Sequence, residues 1–271
     1  MQLVAGGLLG ILVAYVAWRA NSLTNNGAVA AAILGSVIFG FGGLSWAVLL
    51  LTFFISSSLL SHAFRRRKLD LDEKFQKGGQ RDWGQVVANG GLALALVLVQ
   101  VGWPSATWVW WTYAGALAAV NADTWATELG VLNRARPRLI TTWRKVERGT
   151  SGAISLRGTL AAAGGAALIG LVAALFPVAP FNRWMMIAGI TVAGLAGSLV
   201  DSFLGATVQV LYYCPTCQKE TERYPQHLCG TSTSYLRGWR WLNNDWVNWI
   251  CSLAGALAAL GAWLLIGINQ G

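Results

Sequence analysis

Oxygen-bearing side chains that could bind a metal ion follow one long apolar stretch of the sequence. The segment from Asn121 to Gly130 reads Asn-Ala-Asp-Thr-Trp-Ala-Thr-Glu-Leu-Gly, with two acids. On a helix the residues 121, 124 and 128 would share one face, and 123 and 127 a neighbouring face. Mg²⁺ prefers such oxygen ligands and binds through carboxylates and substrate phosphates. The alternative is a capped helix end. The candidate ligands and polar contacts are Asn121, Asp123, Thr124, Thr127 and Glu128.

A run of small and hydroxyl residues, 149–155, forms a second candidate segment. It reads Gly-Thr-Ser-Gly-Ala-Ile-Ser and is flanked by Arg148 and Arg157. Backbone N–H groups, hydroxyls and the start of a helix together suit a phosphate. The same composition also fits an ordinary loop. The predicted phosphate contacts are Arg148, Gly149, Thr150, Ser151, Gly152 and Ser155.

A third acid lies among small residues in a later apolar stretch. Gly194, Gly197, Asp201 and Gly205 are spaced to form one stripe of a helix. Small residues let another helix or a ligand approach closely. We predict that Asp201 binds metal or substrate, the alternative being a structural partner for a polar group on another helix. The neighbouring hydroxyls are Ser198 and Ser202.

Side-chain amides also appear at the edges of apolar stretches. The last apolar stretch opens with Asn243, Asn244 and Asp245, followed by Asn248. One residue of such a run can serve as a helix N-cap. We predict that Asn244, Asp245 and Asn248 contribute to the site. Asn89, before two glycines, is a further candidate.

Four soft ligands occupy one short polar segment, 206–245. Cys214 and Cys217 form a Cys-x2-Cys pair, and His227 and Cys229 follow. Such a set fits tetrahedral zinc with no open position. We predict a structural Zn²⁺ site that staples the segment, the alternative being reduced thiols.

The composition indicates which elements position these residues. Of the 271 residues, 55% are hydrophobic and 11% charged, whereas soluble domains carry about 25% charged residues. A membrane span needs about 20 mostly apolar residues. We predict an all-α, polytopic membrane helix bundle of about eight spans, forming a single membrane domain over 1–271. The N-terminus has no basic region before its apolar run, which favours a retained span over a signal peptide. The spans are near 2–18, 27–42, 44–61, 84–102, 106–122, 158–177, 183–204 and 246–267.

The charges divide sharply between the two sides of this arrangement. With eight spans, all but Arg183 of the 20 basic residues fall in the connections after spans one, three, five and seven. The positive-inside rule places these connections in the cytoplasm and both termini outside. The run from Arg65 to Lys68 is most simply a topology signal. The net charge of +9 therefore does not indicate a nucleic-acid partner.

All 11 acidic residues lie on or beside the same side. Asn89, Asp123, Asp201 and Asp245 fall at similar depth, so we expect one site at this face. The opposite edge is rich in tryptophan, which we expect to form an interfacial belt. Its members are Trp103, Trp108, Trp110, Trp111 and Trp184. We expect a multi-pass plasma-membrane protein with a cytoplasmic active face. Homodimer formation is left open.

Four ordered motifs carry a family resemblance, at 123–130, 149–155, 197–206 and 243–248. They resemble the family once called domain of unknown function 92. That family includes transmembrane protein 19-like proteins and the plant phytyl-phosphate kinase of tocopherol synthesis. The resemblance extends from the segment 21–28 through the last span.

More distantly, the chain is similar to phytol and dolichol kinases. Asp123, Ala126 and Gly130 match their Asp-x-x-Ala-x-x-x-Gly pattern, while Thr127 and Ala153 depart from it mildly. The resemblance implies transfer of a phosphoryl group from a nucleoside triphosphate, CTP, to a prenyl phosphate. Phosphoryl transfer depends mainly on positioning and charge neutralisation. We expect Asp123, Glu128 and Asp201 to hold Mg²⁺, and the prenyl tail to lie between the glycine-lined spans.

Two other function classes remain open. A transporter or flippase for an anionic lipid would need polar residues through the full membrane depth, whereas here they stop on one side. A CTP-dependent cytidylyltransferase would release pyrophosphate instead of CDP, and the sequence does not separate it from a kinase. Tail length and nucleotide base are also left open.

Overall fold

The computed structural model describes residues 1–64, 79–130, 132, 135–176 and 182–268. The predicted topology signal at 65–68 lies outside these residues. Eight long helices occur in the described part, which confirms the predicted all-α membrane bundle. They are α1 (Gln2–Arg19), α2 (Asn25–Val37), α3 (Leu44–Phe64), α4 (Trp83–Gly102), α5 (Thr107–Gly130), α6 (Leu156–Ala173), α7 (Arg183–Thr207) and α8 (Asn244–Ile268). A π-helical turn, Ile38–Gly42, extends α2.

All of these helices except α5 are long and apolar enough to cross a membrane by length and composition. Helix α5 has 24 residues, which corresponds to about 36 Å. Every residue from Val109 to Ala122 is buried, because α3, α4, α6, α7 and α8 pack around this helix. Since its neighbours cover it, α5 can carry polar residues that a lipid-facing helix could not.

The central position of α5 corrects one expectation about the tryptophans. Trp110 and Trp111 are fully buried and do not belong to an interfacial belt. Trp110 packs edge-on against Trp46 at 5.1 Å between ring centroids. The hydroxyl of Tyr113 donates to the carbonyl of Trp46 at 2.6 Å. In contrast, Trp103 and Trp184 are exposed, as a belt requires.

The longer connections meet at one end of the bundle. We call this the loop end, formed by residues 20–24, 79–82, 135–155 and 208–243. Two antiparallel sheets lie within it, which the sequence did not predict. Strands β1 (Arg138–Leu139) and β2 (Ala153–Ile154) form a hairpin. Strands β3 (Leu211–Cys214), β4 (Lys219–Thr221) and β5 (Ser234–Arg237) form a sheet in the order β4-β3-β5.

Specific hydrogen bonds hold these connections to the helices. The backbone N–H of Arg81 donates to the carbonyl of Ser22 at 3.0 Å. The guanidinium of Arg237 donates to the carbonyls of Gly205, Ala206 and Thr207 at 3.2 Å each. These are terminal carbonyls of α7, which lack helical partners. The β3–β5 sheet is therefore anchored to the end of the helix that carries Asp201.

Candidate active site

A polar cavity of about 290 Å³ lies at the loop end. Helices α3 to α8 and the loop-end connections all contribute to its wall. Most of the residues predicted from the sequence face it. They are Asn89, Asp123, Thr124, Thr127, Glu128, Arg148, Gly149, Thr150, Ser151, Gly152, Ser155, Ser198, Asp201, Ser202, Asn244 and Asn248. The fold thus brings together motifs that are far apart in the sequence.

Three carboxylates converge in this cavity from separate elements. Asp123 comes from α5, Asp201 from α7, and Glu222 from the residue after β4. The charge of Glu222 acts on both aspartates, and that of Asp123 acts on Asp201. Mutual repulsion of this kind is relieved by a bound cation. The cluster is therefore suited to a divalent metal with oxygen ligands.

One atom of this cluster has an unmet bonding requirement. Within the described residues, the buried Oδ2 of Asp201 has no hydrogen-bond partner. A buried polar oxygen without a partner is costly unless a ligand or ion satisfies it. The acids and the neighbouring amides are the hard oxygen donors that Mg²⁺ selects. The residues present thus fit a magnesium ion.

Glu128, the third acid predicted to hold magnesium, also lines the cavity. Its Oε1 accepts a hydrogen bond of 2.8 Å from the hydroxyl of Ser61, and its charge acts on Arg81. Burial lowers the pKa of Arg81 to about 10, and the negative charge of Glu128 opposes that shift. Arg81 is therefore cationic at neutral pH.

The hydroxyl-rich segment is held directly against α7. Gly152 has a φ of +78°, and a Cβ there would collide with the backbone of Ala206. Only glycine tolerates both conditions without strain. The hydroxyl of Ser151 donates to Oε1 of Gln209 at 2.8 Å. These contacts bring the backbone of the segment beside the three carboxylates.

Ser155 lies at the start of α6 and has a structural role there. Its side chain accepts a hydrogen bond of 3.1 Å from the N–H of Gly158 and caps α6. Asn243 caps the start of α8, because its Oδ1 accepts hydrogen bonds from the N–H groups of Asp245 and Trp246. This leaves Asn244 and Asn248 facing the cavity, whereas Asp245 does not line it.

Asn121 also lies away from the cavity, although the sequence grouped it with the site. It is fully buried, and its Oδ1 accepts hydrogen bonds from Ser56 and Ser57 at 3.0 Å each. Its Nδ2 donates to the carbonyl of Gly165 at 2.8 Å. The amide thus links α5 to α3 and α6, as buried polar groups do between membrane helices.

Residues missing from the sequence prediction complete the site. Glu222, Arg81 and Ser61 line the cavity. Their types alone gave no signal, since charged and hydroxyl residues are common in loops. Glu222 could have been noticed as an acid within the segment that holds the cysteines and the histidine.

The Cys/His segment forms a candidate metal centre beside the cavity. Ligand atoms of Cys214, Cys217, His227 and Cys229 all lie within 4.8 Å of one another. The sulfurs of Cys214 and Cys229 are 3.5 Å apart, and Nδ1 of His227 is 3.3 Å from the sulfur of Cys229. Ligands of tetrahedral zinc lie about 3.8 Å apart. The cluster can therefore bind a metal ion.

The glycine stripe of α7 packs against other helices. A Cβ on Gly194 would meet Ala118 and Ala166, and one on Gly197 would meet Ala119 and Cys251. Such close contacts leave no room for a lipid tail there. The small residues of this stripe therefore serve helix packing, and a tail between glycine-lined helices would have to bind elsewhere.

Comparisons with known proteins agree with this architecture. The family model described as "Integral membrane protein DUF92" matches residues 8–256. Protein PGR of Arabidopsis thaliana is 32% identical, with 93% of each chain covered. An uncharacterized membrane protein of Methanocaldococcus jannaschii is 34% identical over 76% of this chain and 83% of its own. "Protein VTE6, chloroplastic" of Arabidopsis thaliana is 25% identical over 89% of this chain and 65% of its own. No solved structure matches the chain.

Proposed function

This chain belongs to the DUF92 family of integral membrane proteins, and we propose that it is a CTP-dependent lipid kinase. It transfers a phosphoryl group to a prenyl monophosphate at the cytoplasmic face of the membrane. The observation that carries the proposal is the convergence of Asp123, Asp201 and Glu222 beside the segment 148–152 in one cavity. Acids for a metal and donors for phosphates are the two requirements of phosphoryl transfer.

The nucleotide's phosphates bind along the segment that follows Arg148. The guanidinium supplies positive charge, while Thr150 and Ser151 supply hydroxyls. Gly149 and Gly152 both have positive φ, and turns of this kind direct backbone N–H groups toward an anion. The segment lies in the wall of the same cavity as the acids, so the triphosphate can reach both.

Asp123, Asp201 and Glu222 would hold the magnesium ion. When bound, it neutralises charge on the phosphates and aligns the transferred group. Glu128 lies with Arg81 and Ser61, so its part is to position that arginine. Asn244 and Asn248 offer amide donors to the nucleotide from α8.

The transfer itself needs little more than positioning. An oxygen of the prenyl monophosphate attacks the γ-phosphorus of CTP, and the bond from that phosphorus to the β-phosphate oxygen breaks. The products are a prenyl diphosphate and CDP. Because the acceptor is already an anion, no strong general base is required. The cavity supplies the charge neutralisation that lets two anions approach.

Zn²⁺ in the Cys/His cluster would brace the β3–β5 sheet, and with it Glu222. Four ligands and no open position are typical of structural zinc. Cys214 is the last residue of β3, and β4 leads directly to Glu222. A zinc ion held by Cys214 and Cys217 would thus stabilise the turn between β3 and β4.

Product analysis tests the proposal. Purified protein in lipid nanodiscs is given CTP, Mg²⁺ and a series of prenyl monophosphates, and products are identified by mass spectrometry. The proposal expects CDP and the prenyl diphosphate in equal amounts. Pyrophosphate with a cytidylylated lipid would establish the cytidylyltransferase instead. Movement of the lipid between leaflets without turnover would establish a flippase.

A further inference from the structure

We infer that the apolar tail of the substrate binds in a second cavity, lined by α1 to α4, that borders the polar cavity at Arg81, Gln85 and Asn89. We call this second cavity the tail chamber. The inference rests on the proposed function and names the place where its lipid substrate is recognised. The sequence led us to expect the tail between glycine-lined spans without saying which ones, and the tail chamber is lined by Gly10, Gly35 and Gly90.

The tail chamber is small and almost entirely apolar. Its volume is about 170 Å³, and helices α1, α2, α3 and α4 all contribute to its wall. Small residues keep it open on several sides, among them Ala14, Ala31, Gly35 and Ala47. An apolar cavity of this kind offers few hydrogen-bond partners, so it favours an apolar ligand over water.

The boundary between the tail chamber and the polar cavity indicates which kind of ligand binds in the chamber. Arg81, Gln85 and Asn89 line both cavities. They therefore lie at the boundary between the apolar and the polar space. A ligand that spans this junction must be apolar on one side and polar on the other. A prenyl monophosphate has this division, with its charge at one end of a long apolar chain.

Arg81 has aromatic neighbours on one side and polar neighbours on the other. Its guanidinium lies 5.5 Å from the ring centroid of Phe53 and 5.3 Å from that of Phe54. On its polar side, Nη1 donates to the hydroxyl of Ser58 at 3.2 Å, and Glu128 supplies a negative charge. Arginine pairs well with phosphate because its donors form a fork. The acceptor's phosphate would thus lie at Arg81, which lines the same cavity as the carboxylate cluster.

The chamber extends a defined distance from this junction. Along α3 its wall runs from Phe54, which contacts Arg81, to Leu44 at the start of the helix. Ten helical residues correspond to about 15 Å. Phe39 and Ala47 line the part remote from Arg81. A bulkier side chain at position 47 would therefore shorten the space available to a long tail and leave the part near Arg81 unchanged.

Tail-length dependence provides the test. Ala47→Phe and the milder Ala47→Leu are compared with the unchanged protein on prenyl monophosphates of increasing length. For long tails we expect kcat/KM to fall about tenfold or more, the scale on which apolar pockets reject excess bulk. The shortest tail should be turned over normally. Ala95→Phe, on the exposed face of α4, is the matched control and should show no length dependence.

These outcomes separate the chamber from the proposed function. Turnover by the unchanged protein with equal effects of Ala47→Phe and Ala47→Leu on every tail length would overturn the chamber and leave the kinase intact. Absence of turnover by the unchanged protein would contradict the proposed kinase activity. The tail chamber would then be tested by the binding of a prenyl monophosphate. A prenyl monophosphate carrying a photoreactive group at the tail end should label residues 39–48. Labelling there that excess unlabelled prenyl monophosphate does not reduce would mean bulk lipid only, and would overturn the inference.

Discussion

The carboxylate of Glu222 accepts a hydrogen bond of 2.9 Å from Nε2 of Gln209, just after the end of α7. The same side chain of Gln209 accepts through Oε1 from Ser151. One buried amide therefore connects the Cys/His segment to the hydroxyl-rich segment. Buried polar networks of this kind hold their members in a single arrangement. The metal centre, the phosphate segment and the acids are thus physically joined.

Glu222→Gln should lower turnover about 10- to 100-fold, the range for residues that support a metal site. The change removes a charge from the carboxylate cluster and keeps the size of the side chain. We expect the melting temperature to stay nearly constant and the Mg²⁺ concentration for half-maximal rate to rise. Glu220→Gln, exposed on β4, is the matched control. Equal kinetics for both variants would remove Glu222 from the site.

Zinc content should be about one ion per chain, as a closed four-ligand site requires. The paired change Cys214→Ser and Cys217→Ser should abolish it, measured by metal analysis. Activity should fall too, because the cluster holds the turn that leads into β4 and Glu222. Cys251→Ala, buried in α8 away from the cluster, should retain the metal. Full zinc in the paired variant would contradict the ligand assignment.

Orientation in the membrane is checked by labelling single cysteines in a chain without reactive ones. Positions such as Lys145 and Lys219, at the loop end, should react only with reagent on the cytoplasmic side. Arg183, at the start of α7, should react from outside. Labelling of Lys145 from outside would reverse the bundle and place the proposed site on the other face.

Much of the helical framework could be predicted because long apolar segments are separated by short segments that carry nearly all the charged residues. Most helices begin and end within a few residues of the predicted spans, whereas α5 continues from residue 122, the predicted end of its span, to Gly130. The same pattern placed Asp123 and Asp201 at one end. Helix order within the bundle could not be read this way. Trp110 looked interfacial by position, and only the central placement of α5 shows it to be core.

Other misassignments have a common physical cause. An amide such as Asn121 can bind a ligand or join two helices, and residue type does not distinguish these roles. Glycines are similarly ambiguous, since Gly197 admits a neighbouring helix while Gly35 borders an open space. Glu222 was missed because it follows β4, and the strands of this sheet are too short to show a recognisable alternation of apolar and polar residues. The decisive information in each case is the packing partner.

Asn121→Leu should lower stability and leave the chemistry unchanged. It removes the acceptor of Ser56 and Ser57 and the donor to Gly165. Leaving buried polar groups without partners costs about 1–3 kcal/mol, so the melting temperature should fall. Turnover per folded molecule, normalised by size-exclusion recovery, should match the unchanged protein. A selective loss of nucleotide affinity would instead place Asn121 in the site.

Asp123→Asn and Asp201→Asn should each remove most activity while the protein stays folded in detergent. Each change keeps the shape of the side chain and removes a charge from the cluster, so the metal loses an anionic ligand. Repulsion with Glu222 also falls, so melting temperatures should hold or rise. A structural pair would behave differently, because breaking it costs several kcal/mol and lowers expression.

The two explanations separate when turnover and melting temperature are measured on the same samples. Raising Mg²⁺ should partly restore a variant that has lost one metal ligand, since binding is weakened and not abolished. It should not restore a variant with a packing defect. Asp82→Asn is the matched control, because Asp82 caps α4 and asparagine caps a helix about equally well. Normal turnover in both Asp123→Asn and Asp201→Asn would show that these aspartates are not metal ligands, whichever lipid the protein acts on.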